Sequence, residues 1–100
     1  MWWLNEFEEK IIGPFYEFVF AHESELMIFE LNDGAVVKVK FDTESEMDNN
    51  LELDEEGYEE YREAYFEIVE IITDDTNQYK VGQLIAINYH CLPLSWKLAN

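Results

Sequence analysis

Basic residues are scarce in this chain of 100 residues, where six Lys and Arg stand against 23 Asp and Glu and the formal net charge is −17. So negative a surface repels phosphates, which argues against nucleic acid as a direct ligand. Anionic membrane surfaces are disfavoured for the same reason. The charge therefore favours a basic protein or a cation as the counterpart, although it can also serve only to keep an aromatic-rich domain soluble.

Cysteine and membrane-directed segments are equally rare. Cys91 is the only cysteine, so no internal disulfide can form, which is usual in the reducing cytosol, and we expect its thiol to be buried as a small apolar group. The first ten residues, MWWLNEFEEK, lack the basic and then apolar regions of a secretory signal. No apolar run approaches the roughly 20 residues that a membrane helix needs. These features predict a cytoplasmic protein with no membrane contact.

Motifs of catalysis and cofactor binding are also missing. The four glycines are isolated, so no loop can cradle a phosphate, and neither His22 nor His90 stands in the pattern of a catalytic triad. The alternating acids of residues 42–48 superficially resemble a calcium loop, but Met47 and Leu53 stand where such a loop carries Gly and Glu. We therefore predict a protein that is not an enzyme, with no catalytic residue, no cofactor and no metal site.

Apolar residues, in contrast, are abundant. They make up 48% of the chain, and aromatic residues make up 16%, which is enough to build the core of one small domain. No repeat, linker or low-complexity segment divides the sequence. Residues 1–100 are therefore predicted to form a single domain.

The first element is predicted as a helix over residues 2–12. Phe7 and Ile11 recur at helical spacing, and the charged residues lie mostly on the other side. Gly13 and Pro14 are expected to end this helix, because Gly has a permissive backbone and Pro cannot continue the hydrogen-bond pattern.

Aromatic and β-branched runs predict five strands. They cover residues 15–21, 26–31, 35–41, 65–73 and 83–90. The sequence Asn32-Asp33-Gly34 predicts a tight hairpin between the second and third strands, because these residues tolerate positive φ. Near the end of the chain, a single turn at Ser95–Leu98 is expected to dock Trp96.

The acidic segment of residues 42–63 holds eleven Asp and Glu and one basic residue, Arg62. It repels itself and must lie on the surface. Residues 42–53 show no steady periodicity and are predicted as a loop. Tyrosines at positions 58, 61 and 65 match a helical stripe, whereas the following residues alternate as a strand does. We predict a short acidic helical segment over residues 55–64, followed by the fourth strand.

Together these elements predict an α+β fold. It consists of one domain with a curled antiparallel sheet of about five strands, an N-terminal helix and a short acidic helical segment. The strand order does not follow from the sequence.

The interleaving of tyrosine and glutamate is the best candidate for a partner-binding site. Tyrosine gives rigid contact area with a polar tip and is enriched in protein interfaces, and neighbouring carboxylates can pair with Lys or Arg of a basic partner. Alternatively, the tyrosines cover the core while the glutamates face solvent, and one helix can do both. The predicted partner-binding residues are Glu55, Glu56, Tyr58, Glu59, Glu60, Tyr61 and Glu63.

Three stretches carry a family resemblance across residues 26–93. They read DGAVVKVKFDTESEMDNN, LDEEGYEEYREAYFEIVEI and YKVGQLIAINYHCLP. The chain resembles small acidic bacterial proteins and the immunity proteins that are encoded beside polymorphic or contact-dependent toxins. The resemblance implies a cytoplasmic antidote that blocks a toxin by binding it, and it transfers no functional residue.

The leading hypothesis is thus a non-catalytic binding protein, an immunity-type inhibitor that neutralises a basic toxin through its acidic Tyr/Glu surface. Nucleases are candidate toxins, because a cleft that binds nucleic acid is basic. One alternative is a phage-type mimic of nucleic acid that inhibits a nuclease. Another is a structural or regulatory module whose charge only confers solubility.

Overall fold

Two long antiparallel strands form the centre of the structure, a computed structural model that describes residues 6–48, 56–57 and 60–99. In chain order the elements are α1 (Glu6–Ala21), β1 (Met27–Glu30), β2 (Val36–Asp48), β3 (Glu60–Thr73), β4 (Leu84–Ile87) and β5 (Ser95–Leu98). The strands make one open sheet in the order β4-β3-β2-β1-β5, and every neighbouring pair is antiparallel. The predicted α+β fold with an antiparallel sheet and an N-terminal helix is confirmed.

Helix α1 is longer than predicted and runs through Pro14. The predicted helix end at Gly13-Pro14 and the predicted strand over residues 15–21 are both wrong. The buried residues of α1 show why, since Ile12, Phe15, Tyr16 and Val19 lie on one helical face. An internal proline costs a helix about 3 kcal/mol, whereas burying each large side chain contributes about 1.5–3 kcal/mol. The apolar stripe therefore outweighs the missing backbone bond.

The predicted hairpin between β1 and β2 is confirmed. Gly34 has a φ of 90°, and the Asp33 carboxylate accepts a hydrogen bond of 3.1 Å from the Ala35 amide. The predicted alternation of β2 is also present, since Val37 and Val39 are fully buried in the core. Local turn chemistry and the period of two are therefore sufficient to predict this part of the fold.

The described part of the acidic segment is mainly strand. The predicted loop is wrong for residues 42–48, which extend β2, and the predicted helix is wrong for residues 60–64, which begin β3. The predicted helix is also wrong for residues 56–57, which form a turn. The remaining parts of both predictions, residues 49–53, 55 and 58–59, lie outside the described residues. A spacing of four places Tyr61 and Tyr65 on one face of a strand as well as of a helix, so the tyrosine stripe could not distinguish the two.

A bulge at Asp42 reverses the faces of β2. Phe41 is opposite Phe66, but Thr43 is opposite Tyr65, so Asp42 is an extra residue in the ladder. Before the bulge the odd-numbered residues of β2 face α1, and after it the even-numbered residues do, because one inserted residue changes the alternation. As a result, the acids of β2 after the bulge, Glu44, Glu46 and Asp48, all lie on the side of the sheet that faces α1.

The C-terminal segment Ser95–Leu98 is a strand rather than the predicted turn. It pairs with the free edge of β1, with Glu30 opposite Ser95. The local sequence could not predict this strand, because the pairing depends on a partner far away in the chain. Trp96 nevertheless packs on the core as expected, with its ring 5.1 Å from that of Phe15. The prediction of a buried Cys91 is wrong, since its thiol is free and exposed beyond the end of β4.

Within the described ranges, no helix combines the length and the apolar character needed to cross a membrane.

Candidate functional site

The predicted partner-binding residues fall on the outer half of the β2–β3 hairpin. We call this region the distal hairpin and define it as residues 42–48, 56–57 and 60–65. Glu56 is exposed in a turn with Gly57, whereas Glu60, Tyr61 and Glu63 belong to β3. The other three predicted residues, Glu55, Tyr58 and Glu59, lie outside the described residues. Strand alternation places Tyr61 and Glu63 on the face away from α1 and Glu60 on the face towards it.

Both carboxylate oxygens of Glu63 are held by hydrogen bonds. The Tyr65 hydroxyl donates to one oxygen at 2.6 Å, and the Asn88 side-chain amide donates to the other at 2.8 Å. The bond to Glu63 is the main cause that raises the pKa of the Tyr65 phenol. Among the described residues, no Lys, Arg or His side chain forms an ion pair with Glu63. Two hydrogen bonds thus hold the Glu63 carboxylate in position, and no basic side chain of the described residues is paired with it.

An aromatic cluster forms around Tyr61, which shares a face of β3 with Glu63. Tyr61 lies opposite Met47 across the ladder, and its ring makes edge contacts with Tyr89 at 5.9 Å and with His90 at 5.5 Å. The sequence did not single out Asn88, Tyr89 or His90 as members of this site. They follow β4, more than 20 residues along the chain, and only the pairing of β3 with β4 brings them here.

Charge pairing differs between the two halves of the hairpin. In the half next to the core, Lys38 pairs with Glu70 at 3.1 Å and Lys40 pairs with Glu67 at 3.5 Å. The described part of the distal hairpin contains one basic residue, Arg62, which pairs with Glu44 at 3.3 Å. Its acidic residues are Asp42, Glu44, Glu46, Asp48, Glu56, Glu60 and Glu63. The surplus of negative charge is therefore concentrated on the distal hairpin.

Two side chains of α1 attach the distal hairpin to the body of the protein. Glu8, which is fully buried, accepts a hydrogen bond from the Arg62 backbone amide. The Tyr16 hydroxyl donates to the Arg62 carbonyl at 2.8 Å, and burial is the main cause that raises the pKa of this phenol. β4 ends at Ile87, opposite Ala64, so it does not reach Arg62. The two side chains of α1 therefore form the hydrogen bonds to the Arg62 backbone that a longer β4 would otherwise form.

A groove of about 390 Å³ lies elsewhere on the molecule, between β4 and the β1–β2 turn. Its walls are residues 31–33, Tyr79, residues 83–87 and residues 91–93. At its rim the Tyr79 hydroxyl donates to the Asp33 carboxylate at 2.7 Å. This bond and the bond from the Ala35 amide lower the pKa of Asp33. Partial burial, followed by the bond to Asp33, raises the pKa of Tyr79 to about 12.

The raised pKa of Tyr79 predicts a loss of stability at high pH. The folded state keeps the phenol proton up to about pH 12, whereas the unfolded chain releases it near pH 10. The contribution of the protonated Tyr79 phenol to the free energy of unfolding is therefore complete below pH 10 and is lost as the pH rises towards 12. We expect the free energy of unfolding, measured by urea denaturation, to fall over this range.

Tyr79→Phe provides the matched comparison for this prediction, because it removes the titrating group and leaves the ring. The variant should show a shallower fall between pH 10 and 12. Identical slopes for the two proteins would contradict the assignment.

Metal chemistry receives no support from the geometry of the acids. Within the ranges that the structure describes, no group of three or more His, Cys, Asp or Glu side chains could hold a metal ion.

Comparison with known proteins identifies the family. The family model described as "Cognate immunity protein YxxD" matches residues 10–89, which is four fifths of the chain. The chain belongs to the YxxD family of cognate immunity proteins. This match confirms the resemblance of the sequence to the immunity proteins of toxin systems. No match was found among curated proteins or among solved structures.

Membership of the YxxD family indicates a toxin-neutralising inhibitor, and it implies that the partner is a toxin protein. The matched range includes Glu56, Glu60, Tyr61 and Glu63 as well as Asn88, and it ends at Tyr89. Immunity proteins are generally not catalysts.

Proposed function

We propose that this YxxD-family protein neutralises its cognate toxin by covering a basic surface of that toxin with the distal hairpin. The observation that supports this proposal is the surplus of negative charge on the distal hairpin, where Arg62 is the single basic residue of the described part. The proposed contact residues are those predicted from the sequence: Glu55, Glu56, Tyr58, Glu59, Glu60, Tyr61 and Glu63.

Within this surface, Glu63 and Tyr61 are suited to central contacts. The Glu63 carboxylate is held in position by Tyr65 and Asn88 before any partner arrives, so little side-chain entropy is lost on binding. Tyr61 adds a rigid ring that is already packed against neighbours. A fixed carboxylate beside an aromatic ring favours an arginine of the partner, whose guanidinium can bind a carboxylate and stack on a ring.

A nuclease is the toxin class that this surface fits best. The cleft of a nuclease is basic because it binds phosphates, and a protein that carries many fixed carboxylates can occupy it. The same charge keeps the inhibitor itself away from nucleic acid and from anionic membranes. We propose that it acts in the cytoplasm, where its exposed thiol is kept reduced, and that it has neither catalytic activity nor a cofactor.

Charge reversal tests the proposed surface. The variant carries Glu56→Lys, Glu60→Lys and Glu63→Lys, which are three of the proposed contact residues. The probe is the toxin domain encoded by the gene adjacent to that of this chain, and calorimetry measures its affinity. We expect binding to weaken at least tenfold at low salt, and the loss should shrink at high salt because exposed charges are then screened.

A matched control changes the net charge equally at another place. Glu9, Glu17 and Glu23, which are all exposed on or just after α1, are replaced by Lys. This variant should bind the toxin domain within about threefold of the original protein. Equal losses in the two variants would mean that only the overall charge matters, and unchanged binding of the first would refute the distal hairpin as the contact surface.

A further inference from the structure

The two edges of the sheet differ in their protection against additional strands. β5 carries the exposed Lys97, and a charged residue on an edge strand is a common barrier to further pairing. β4, at the other edge, has the sequence LIAI and carries neither a charge nor a proline. Leu84 is 52% exposed, and Ala86 is exposed as well. An unguarded, apolar edge strand is a template for another strand.

The backbone groups at this edge can be assigned from the ladder. The Ile68 amide donates to the Gln83 carbonyl at 2.9 Å, so Gln83 bonds towards β3. Because antiparallel strands alternate bonded and non-bonded pairs, Ile85 and Ile87 also bond towards β3. Leu84 and Ala86 then direct their N–H and C=O groups away from the sheet.

The groove described above runs along this same edge. Five consecutive residues, 83–87, line it, although their side chains alternate between the two faces of the sheet. Consecutive residues of a strand can all line one cavity when the cavity runs along the edge of that strand. A volume of about 390 Å³ is at the lower end of the range for ligand-binding clefts, which suits a short extended segment with one or two inserted side chains.

We propose that an extended segment of the cognate toxin binds in this groove and adds to the sheet beside β4. This inference rests on the proposed function, because it takes the toxin as the partner, and it adds a second contact separate from the distal hairpin. The segment would place an apolar side chain between Leu31 and Ile85 and a Lys or Arg beside the Asp33 carboxylate at the rim. Backbone hydrogen bonds to Leu84 and Ala86 would supply the affinity, as in other cases of strand addition.

Charge favours the toxin over a second copy of this chain as the occupant. Two copies would each bring a net charge of −17 and would repel one another. A basic partner is attracted instead, and Asp33 offers it a carboxylate that Tyr79 and the Ala35 amide hold in place. Charge therefore favours a strand of the toxin, rather than a second copy of this chain, as the occupant of the groove.

Amide hydrogen exchange of the complex with the adjacent-gene toxin domain tests this proposal without altering the chain. In the free protein the Leu84 and Ala86 amides should exchange rapidly, and those of Ile85 and Ile87 slowly. In the complex the first pair should slow at least tenfold. A complex that forms while these two amides exchange as in the free chain would overturn the strand addition and leave the proposed function standing. Failure of any complex to form would overturn both.

Two substitutions at one position provide the second measurement. Ala86→Pro removes an N–H that points outward and is tolerated at edge positions, whereas Ala86→Val keeps the N–H and supplies a similar bulk. We expect the proline variant to bind the toxin domain at least tenfold more weakly and the valine variant within about threefold. Equal affinities would refute the proposal. Protection of Leu84 and Ala86 that grows with concentration in the free chain would instead identify a second copy as the occupant.

Discussion

Replacement of Phe66 by alanine is expected to lower the free energy of unfolding by about 3–5 kcal/mol, the range observed when a large buried aromatic residue is truncated. Phe66 is fully buried on β3. Its ring lies 5.9 Å from Phe15 of α1, 4.9 Å from Phe29 of β1 and 5.8 Å from Phe41 of β2. The Phe66 side chain of β3 thus contacts α1, β1 and β2. Its removal leaves a cavity between these elements that the movement of one element alone cannot fill.

Thermal and urea unfolding measure this effect. For a domain of this size, a loss of about 3 kcal/mol corresponds to a fall in Tm of at least about 12 °C. Phe66→Leu, which retains much of the apolar volume, should cost less than half as much. Phe7→Ala removes the same kind of side chain from a position on α1 that is 56% exposed and should change stability by less than about 0.5 kcal/mol. A loss for Phe66→Ala as small as that of Phe7→Ala would show that the aromatic cluster is not the main core.

Replacement of Glu8 by alanine is expected to destabilise the protein by about 2–4 kcal/mol, because it leaves the Arg62 amide without its acceptor and opens a cavity under the distal hairpin. Glu8 is the buried charged residue of the described core. Since β4 does not extend beside Arg62, no backbone acceptor of a neighbouring strand can replace the lost carboxylate. The Tyr16 hydroxyl, which holds the Arg62 carbonyl, would remain as the other link.

Glu8→Gln separates the hydrogen bond from the charge. Glutamine keeps an acceptor for the Arg62 amide, so this variant should lose about half as much stability as Glu8→Ala. Glu9→Ala, at the exposed neighbouring position, is the matched control and should change stability by less than about 0.5 kcal/mol. If Glu8→Ala behaves as Glu9→Ala does, the link between α1 and the distal hairpin contributes nothing to stability.

The Glu8 variants also connect stability with the proposed function. The link at Arg62 holds the part of β3 that carries Tyr61 and Glu63, the proposed contact residues. Glu8→Ala should therefore increase amide exchange in residues 60–63 and weaken toxin binding, even under conditions in which the protein remains folded. Glu8→Gln should retain most of the affinity.

Several features could be predicted from the sequence because they depend on neighbouring residues. The Asn32-Asp33-Gly34 hairpin follows from backbone preferences within a few residues, and the alternation of Val37 and Val39 follows from the period of a strand. Net charge and its concentration in residues 42–63 are properties of composition. The resemblance to immunity proteins also resided in the sequence alone, and the YxxD family match confirms it.

Other features depended on contacts between distant residues. Helix α1 continues through Pro14 because Phe15 and Tyr16 find a sheet to pack against, a gain that local propensity does not include. Residues 42–48 and 60–64 are strands because each supplies the backbone partner of the other.

The acidic segment shows the same division within one stretch of chain. Its sequence determined that it is negatively charged and interleaved with tyrosine. Only the tertiary structure decided which acids share a face, since the bulge at Asp42 sets the alternation of β2 and the pairing with β4 brings Asn88 to Glu63. Charge is additive along a chain and can be read locally, whereas the direction of a side chain depends on strand register, which is fixed by partners far away in sequence.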